Sequence, residues 1–423
     1  MSFNMSLVNI SDELNDKLCE DLELSIENKF NMGPKKIVYA YNINDNDEIT
    51  IPFSYAIQYL KIKRPKRQSF PSSNYKFILK PREEQTEVLG EAIQYLNKNG
   101  SIIISCYTGF GKTACSISLA ATIKLKTLII VNKIVLIKQW EESINKFCPE
   151  AIVQKLTVKS KRNDEANFYI MNAQNIEKMG VEYFSQIGCV IVDECHLIMA
   201  ESLSKSLQYL YPRYLIGLSA TPYRPDGLNS LLDLYFGEHK IIRKLHREHI
   251  AYKVETNIIP NIEYSITGKI NWGAILDSQA NNDDRNNIIA NIIRDHADRN
   301  FLVITKRISQ GEYLYNLLSQ MGENVTSLLG TNQEFDKDAR ILIGTSSKVG
   351  VGFDHQKLDA LLLACDIEEY FIQYLGRVFR TKDTIPIIFD LVDKYSVLEK
   401  HWKTRNKIYK EHGGIVKKYD INR

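Results

Sequence analysis

The stretch "SIIISCYTGFGKTACSISLAATIK" occupies residues 101–124 and sets three consecutive isoleucines before a glycine-rich turn that ends in Gly-Lys-Thr. An apolar run, such a turn and a helix-forming segment predict a strand, a phosphate-binding loop and a helix. Gly109 and Gly111 let the backbone curl with its N–H groups inward, and the helix beginning near Thr113 adds its positive dipole end. The residues that we expect to hold the phosphates are Thr108, Gly109, Phe110, Gly111, Lys112 and Thr113.

The end of this loop predicts which phosphates are bound. Lys112 would reach the β- and γ-phosphates of ATP, and the Thr113 hydroxyl would ligate Mg²⁺. The general pattern places glycine five residues before Gly111, and here that position is Cys106. We expect Cys106 to be a small structural residue and not a nucleophile. A plain glycine turn between a strand and a helix is the alternative for this stretch alone, so other motifs must decide.

Length, charge and cysteine usage bound the class of protein. The chain has 423 residues, 44% of them hydrophobic, which predicts two or three domains with sizeable cores. The net charge of +3 predicts that any nucleic-acid binding is local to a groove. The seven cysteines include no Cys-x-x-Cys pair, which argues against a disulfide framework and a structural zinc site. Without a signal-peptide pattern or a long apolar window, we expect a soluble intracellular protein with no membrane partner.

Apolar runs of strand length recur along the chain in two series and alternate with helical patterns such as "ISQGEYLYNLLSQM". The first series is "TLIIV" (127–131), "FYIM" (168–171), "CVIVD" (189–193) and "YLIGL" (214–218); the second is "FLVIT" (301–305), "RILIGT" (340–345), "DALLLA" (359–364) and "IPIIFDL" (385–391). Unbroken apolar runs are typical of strands buried in parallel sheets. The pattern therefore predicts two tandem α/β units, joined near residues 236–250.

Changes in the pattern of apolar and charged residues divide the chain into four segments. We expect a leader domain and basic linker at 1–72, a nucleotide-binding domain at 73–240, a second α/β domain at 241–395 and a helical tail at 396–423. The linker "KIKRPKRQSFPSSN" is either an exposed connector or a nucleic-acid contact.

A pair of carboxylates ends one of the predicted strands. In "CVIVDECH" an apolar run stops at Asp193 and Glu194, which places both at the carboxyl edge of a sheet, where ligands of open α/β folds bind. Asp193 would hold Mg²⁺ through water, and Glu194 would polarise the attacking water. His196 either senses the segment Ser219–Thr221 or is a satisfied structural histidine.

The order of five further motifs resembles superfamily 2 helicases and translocases of the DEAH-like kind. The motifs are "LKPREEQTEVL" (79–89), "VNKIVLIKQW" (131–140), "YLIGLSATPYRPDG" (214–227), "ILIGTSSKVGVGFDHQKLD" (341–359) and "YFIQYLGRVFR" (370–380). The resemblance implies two tandem RecA-like parallel-sheet domains with a small N-terminal α+β leader. It covers the chain from about Leu79 to Lys394.

The resemblance also implies roles for single residues. Gln85 would read the adenine edge, and Gly352 and Asp354 would lie near the nucleotide. Ser219 and Thr221 would couple ATP turnover to movement on nucleic acid. The helix of the last motif would supply Gln373, Gly376, Arg377 and Arg380, with both arginines on one helix face. Thr345, Arg224 and the loop after Val131 occupy positions that contact nucleic acid in similar proteins, although polar surface residues also fall there by accident.

The residues of two of these motifs are most similar to those of duplex-DNA translocases of the XPB/UvsW type and of poxvirus-type transcript-release helicases of large DNA viruses. We therefore expect a monomeric, ATP- and Mg²⁺-dependent 3′-to-5′ DNA translocase, linked to transcription or repair machinery. If viral, it would act in the host cytoplasm or the virion. An RNA helicase of the same superfamily and an ATP-gated nucleic-acid clamp are the alternatives.

Overall fold

The chain folds into two units, each built on its own sheet. In the computed structural model of the protein, the described residues are 2–7, 10–26, 36–44, 47–198, 205–221, 223, 228–332, 334–349, 355, 357–367, 371–380 and 384–421. The first unit runs up to Cys106 and from Phe110 to Arg243, and the second comprises Tyr107–Gly109 and the chain from Lys244 onward. Among the described residues, no helix combines the length and the apolar character that crossing a bilayer requires.

The leader is a small α+β element that shares the core of the first unit. It consists of β1 (Ser2–Ser6), α1 (Asp12–Leu22), β2 (Glu23–Ile26), β3 (Lys36–Tyr39), β4 (Asn42–Ile43), β5 (Glu48–Pro52) and α2 (Phe53–Gln58). Strands β1, β5 and β4 form one antiparallel sheet, and β2 pairs with β3 in another. The buried side chains of Leu22, Ile51 and Phe53 belong to the same apolar cluster as Tyr235 and Phe236. The leader is therefore packed onto the first unit through a continuous hydrophobic core.

The first large sheet alternates strands with helices. Its elements are α3 (Glu83–Asn99), β6 (Ser101–Cys106), α4 (Lys112–Ile123), β7 (Thr127–Val131), α5 (Ile134–Phe147), β8 (Val153–Lys155), β9 (Phe168–Asn172), β10 (Cys189–Val192), α6 (Cys195–Ile198), β11 (Tyr214–Ser219), α7 (Asn229–Phe236) and β12 (Lys240–Arg243). The strand order is β12-β6-β11-β10-β7-β9-β8, and every pairing is parallel. The central strands are buried along their whole length, which explains their unbroken apolar sequences.

The second unit repeats this architecture. Its elements are β13 (His249–Glu255), α8 (Trp272–Ala280), α9 (Asp283–Asp295), β14 (Phe301–Thr305), α10 (Ile308–Gln320), β15 (Val325–Leu328), β16 (Ile341–Thr345), α11 (Ser346–Val349), β17 (Ala360–Leu363), α12 (Phe371–Val378), β18 (Ile387–Val392), α13 (Ser396–Glu411) and β19 (Gly414–Tyr419). The strand order is β15-β16-β14-β17-β18-β13-β19, again parallel throughout. The predicted fold of two tandem RecA-like parallel sheets is confirmed, and each of the predicted apolar runs contributes a strand.

The C-terminal segment contains more than the predicted helix. Helix α13 ends at Glu411, and β19 then pairs in parallel with β13 at the edge of the second sheet. Strand β19 (GIVKKY) has only half-buried and exposed positions, as expected at a sheet edge, and it contains no continuous apolar run. The segment is thus part of the second sheet rather than a separate tail.

Two arginines of the basic linker are bound by helix ends instead of being fully solvated. Arg64 donates through Nη1 to the Leu96 carbonyl at 2.8 Å, near the end of α3. Arg67 donates through Nη1 to the Ile123 carbonyl, the last residue of α4, at 2.6 Å. The Leu96 carbonyl also accepts the Gly100 backbone N–H at 2.9 Å, so Arg64 adds a second donor there, and the positive charge of both arginines complements the helix dipole at these C-terminal ends. The linker is therefore fastened to the first unit, and the interpretation as an exposed connector was wrong for these two residues.

A buried ionic network anchors α13 to the second sheet. Arg405 donates to both carboxylate oxygens of Asp390, at 2.8 and 2.9 Å, and to Asp366 at 2.8 Å. His401 Nδ1 lies 2.6 Å from the second Asp366 oxygen. Burial opposes ionisation of Asp366, but His401 and Arg405 outweigh it and hold the pKa of this carboxyl below its usual value. The network therefore joins α13 to Asp390 of β18 and to Asp366, a short distance beyond β17.

We expect Arg405→Ala to destabilise the second unit by about 3–5 kcal/mol, because it leaves the buried Asp390 carboxylate without its counter-charge and Asp366 with His401 alone. Urea unfolding followed by the fluorescence of Trp272 and Trp402 measures this change. Lys407→Ala is the matched control on the same helix, since Lys407 and Glu411 form an exposed pair at 3.8 Å. Equal urea midpoints for the two variants would contradict a stabilising role of the network.

Candidate active site

The phosphate loop connects the end of β6 to the start of α4, as the sequence predicts. Gly109 and Gly111 both have φ of +93°, in the left-handed region that favours glycine. A Cβ atom on Gly111 would also lie 2.6 Å from Gln85 Nε2. Thr108 lies in the loop, and Lys112 and Thr113 open α4, where backbone N–H groups have no intrahelical partner. The loop therefore has the backbone geometry of an anion-binding turn.

Gln85 links the start of α3 to this loop. Its Oε1 accepts the backbone N–H of Arg82 at 2.9 Å, and its Nε2 donates to the Phe110 carbonyl at 2.8 Å. The Arg82 guanidinium donates to the same carbonyl and stands over the Phe110 ring. Gln85 is only 5% exposed. Gln85 thus lies beside the phosphate loop and holds the backbone of the loop at Phe110.

Lys112 lies between the loop and the acidic strand end. Its ammonium donates to the Cys106 carbonyl at 2.8 Å. It is also close enough to Asp193 that its charge lowers the pKa of that carboxyl. Strands β6 and β10 are separated only by β11, so the loop after β6 and the acidic pair after β10 share one sheet edge. The predicted lysine and carboxylate are brought together.

Asp193 is held by hydrogen bonds at both carboxylate oxygens. The Trp140 indole N–H donates to Oδ2 at 2.8 Å, and the Glu194 backbone N–H donates to Oδ1 at 3.0 Å. Burial raises the pKa of Asp193, while Trp140, Lys112 and the Glu194 N–H each act in the opposite direction. The carboxylate is thus desolvated but fixed in orientation.

Glu194 occupies a strained backbone conformation. Its φ of +47° is uncommon for any residue other than glycine and costs about 1–3 kcal/mol. The chain turns sharply here, between the last residue of β10 and the first turn of α6. Such strain concentrates at functional sites, where the orientation of a side chain matters more than local stability.

His196 connects the acidic pair to the neighbouring strand end. Its Nδ1 lies 2.8 Å from Ser219 Oγ and 3.5 Å from a Glu194 carboxylate oxygen. Ser219 Oγ also accepts the Thr221 backbone N–H at 2.9 Å. His196, Ser219 and Thr221 are all buried. A continuous set of contacts therefore runs from Glu194 to the end of β11.

In the second unit, α12 carries Gln373, Gly376 and Arg377, but Arg380 lies two residues beyond its end. The expectation that both arginines share one helix face was wrong for Arg380. The Phe379 carbonyl accepts a hydrogen bond from Arg247, and the centroids of the Phe379 and His249 rings are 4.8 Å apart. Phe379, which separates the helix end from Arg380, is thus held by contacts with Arg247 and His249.

The predicted nucleic-acid residues are only partly described. Thr345 ends β16, is 6% exposed, and its hydroxyl lies 3.2 Å from Ser347 Oγ. The Tyr374 hydroxyl of α12 donates to the Ser346 carbonyl at 2.9 Å, so this strand end and α12 are linked. Arg224, Gly352 and Asp354 lie outside the described residues.

Two residues of the site were not assigned a role by the sequence. Trp140 is the last residue of the motif "VNKIVLIKQW" and one of three tryptophans in the chain. Its place in the motif is the one sequence feature that could have drawn attention to it. Arg82 stands three residues before Gln85, but its contact with the loop carbonyl depends on the tertiary fold. Neither contact follows from local spacing.

The oxygen atoms of Thr113 and Asp193 are of the chemical type that Mg²⁺ prefers. Magnesium in such sites takes few protein ligands and completes its shell with water and phosphate oxygens. A hydroxyl, a carboxylate and a phosphate loop fit a nucleotide-bound ion.

Comparison with known proteins shows the family of the chain. Residues 78–224 match the family described as "Type III restriction enzyme, res subunit". The chain is 44% identical to putative helicase 161L of Invertebrate iridescent virus 6, across 100% of both chains. It is 30% identical to putative helicase 055L of Frog virus 3, covering 87% of this chain and 86% of that protein.

A solved structure shares the fold. Dbp5 of S. cerevisiae, bound to RNA and ADP BeF3, superposes with a TM-score of 0.59 at 14% identity, covering 82% of this chain and 91% of that one. Two parallel sheets, a phosphate loop and an acidic strand end define an ATPase of the helicase type. The chain belongs to the superfamily 2 helicases of large DNA viruses, and it is an ATP-dependent helicase.

Cys106 should be chemically inert, because burial raises the pKa of its thiol to about 12 and only the thiolate is a strong nucleophile. We expect iodoacetamide to leave Cys106 unmodified in the folded protein while it labels the partly exposed Cys19, as read by mass spectrometry of peptides. Cys106→Ala should keep near-normal ATP turnover. Rapid labelling of Cys106, or loss of turnover in a folded Cys106→Ala variant, would show that the loop has been misinterpreted.

Proposed function

We propose that this helicase is a DNA translocase that moves 3′ to 5′, unwinds duplex DNA with the energy of Mg²⁺-dependent ATP hydrolysis, and serves viral transcription or recombination. The proposal rests on one observation. The loop before Lys112 and the acidic pair Asp193 and Glu194 lie at one edge of the first sheet, and Lys112 is close enough to Asp193 for its charge to favour the ionised carboxylate. A lysine in a phosphate loop and two carboxylates at the adjacent strand end suit phosphoryl transfer to water.

Each residue contributes positioning or charge rather than covalent chemistry. Lys112 moves from the Cys106 carbonyl to the β- and γ-phosphates when nucleotide binds. Thr113 and Asp193 hold Mg²⁺, which when bound neutralises charge on the phosphates. Glu194 orients the attacking water and accepts its proton, with its position set by the strained turn after β10.

The second unit supplies the remaining charges. We assign Arg377 and Arg380 to the charge that develops on the γ-phosphate, a role worth about 10³–10⁵ in rate. Gln373 positions the nucleotide beside them, and Gly352 and Asp354 contact it. These assignments rest on the resemblance of the motifs in which the residues stand.

Coupling to nucleic acid uses the contacts around His196. Its imidazole lies between Glu194 and Ser219, so a change at the reacting phosphate reaches the end of β11 through two polar contacts. We propose that Ser219 and Thr221 transmit this change to the nucleic-acid track, where Arg224 and Thr345 contact the backbone.

DNA is the proposed substrate because the residues of two motifs resemble those of XPB/UvsW-type translocases. ATP hydrolysis by the full chain, measured side by side with single-stranded DNA, duplex DNA and RNA, tests this assignment. We expect DNA to stimulate hydrolysis well above the RNA level, with displacement of an annealed strand only on 3′-tailed duplexes. Stimulation by RNA alone would replace the proposal with an RNA helicase, and displacement from 5′ tails would reverse the polarity.

Lys112→Ala and Glu194→Gln should both abolish measurable hydrolysis, for different reasons. Lys112→Ala removes a phosphate contact and should weaken ATP binding, whereas Glu194→Gln keeps the shape and loses only the charge that activates water. Binding of a fluorescent ATP analogue separates the two variants. Retained hydrolysis in folded Lys112→Ala, or equal loss of binding in both variants, would contradict these roles.

Ser219→Ala combined with Thr221→Ala should hydrolyse ATP in the presence of DNA but move poorly along it. Ser219 Oγ contacts His196 and the Thr221 backbone, so we expect its loss to break coupling, while Lys112, Asp193 and Glu194 remain in place for the chemistry. Strand displacement per ATP hydrolysed is the measurement. A ratio equal to that of the wild type would exclude the coupling role.

A further inference from the structure

Trp140 is a buried residue whose polar atom points at the centre of the site. It lies at the middle of α5 and is 2% exposed. Its indole N–H donates to Asp193 Oδ2 at 2.8 Å, and α5 supports β7 and β9 of the first sheet. A tryptophan in a core needs a partner for its N–H, and many acceptors would serve. Here the acceptor is the carboxylate that would hold Mg²⁺.

The second oxygen of the same carboxylate is held independently. Asp193 Oδ1 accepts the Glu194 backbone N–H at 3.0 Å. With one donor on each oxygen, from two different elements, the carboxylate plane cannot rotate without breaking a hydrogen bond. Each oxygen retains acceptor capacity, since a carboxylate oxygen accepts more than one hydrogen bond.

We propose that Trp140 is a positioning residue for Mg²⁺: it fixes the Asp193 carboxylate in the orientation that accepts the hydrated ion of Mg²⁺–ATP. This inference rests on the proposed function, in which Asp193 holds the ion. Trp140 itself touches neither nucleotide nor metal. Its effect therefore falls on the metal-dependent part of nucleotide binding and leaves the metal-free part unchanged.

Replacement of the indole by phenyl separates this role from packing. Trp140→Phe keeps an aromatic ring in the core but removes the N–H. An isosteric test places β-(3-benzothienyl)alanine at 140, where sulfur replaces the N–H and the bicyclic shape is kept, so the proposal stays testable if the phenyl variant folds poorly. Trp402→Phe is the matched control, because the Trp402 ring stands over Lys253 in the second unit.

The experiment titrates Mg²⁺ into full-length protein with a fluorescent ATP analogue, and repeats the binding in EDTA. We expect both replacements at 140 to bind the analogue in EDTA as the wild type does, but to need about tenfold more Mg²⁺ for the metal-dependent gain, because a hydrogen bond to a charged group is lost. Trp402→Phe should match the wild type in both conditions.

Two results would overturn the inference. One is an unchanged Mg²⁺ requirement in a folded variant lacking the N–H. The other is an equal loss of affinity with and without Mg²⁺, which would mean that Trp140 only supports the fold. Lys112→Ala, measured in parallel, distinguishes this failure from failure of the proposed function: if it hydrolyses ATP normally, the site itself is wrongly assigned.

Discussion

The parallel direction of three neighbouring strands is the constraint on which the site depends. Strands β6, β11 and β10 lie side by side, with Ser105 paired to Ser219 and Val192 paired to Gly217. Because parallel strands end at the same edge, the segments that follow them converge although they are far apart in sequence. The loop before Lys112 and the turn at Glu194 are brought together in this way. The strands can hold this register because their side chains are buried on both faces.

Burial at this edge disfavours the charged carboxylate, and the surrounding contacts counteract only part of that effect, so the pKa of Asp193 stays above its ordinary value. Desolvation raises the pKa of Asp193, which alone would favour a neutral carboxyl. The Lys112 charge, the Trp140 indole and the Glu194 backbone N–H all oppose that shift. His196 stands between Glu194 and the next strand end. The same low dielectric that makes the charges costly makes their interactions with phosphate and metal strong.

Much of the fold could be predicted from the sequence because strands of parallel sheets are unbroken apolar runs, and the loop glycines and acidic pair stand in recognisable order. Contacts that depend on tertiary packing could not. Trp140 meets Asp193 because α5 packs against β7 and β9 of the same sheet, and the linker arginines meet helix ends that the sequence does not connect to them. Strand β19 was missed because its sequence, GIVKKY, has no continuous apolar run. Arg380 lies beyond the end of α12, next to Phe379, which contacts Arg247 and His249 at and just before the start of β13.

The central claim is that the loop before α4 and the acidic end of β10 form one Mg²⁺–ATP site. A crystal structure of the protein with ADP, beryllium fluoride and Mg²⁺ tests it most directly. We expect the nucleotide phosphates to lie in the loop at residues 107–111, with Mg²⁺ between Thr113 and Asp193. The Lys112 ammonium should have moved from the Cys106 carbonyl to the beryllium fluoride group. Nucleotide bound elsewhere, or Lys112 still donating to Cys106 beside an occupied loop, would contradict it.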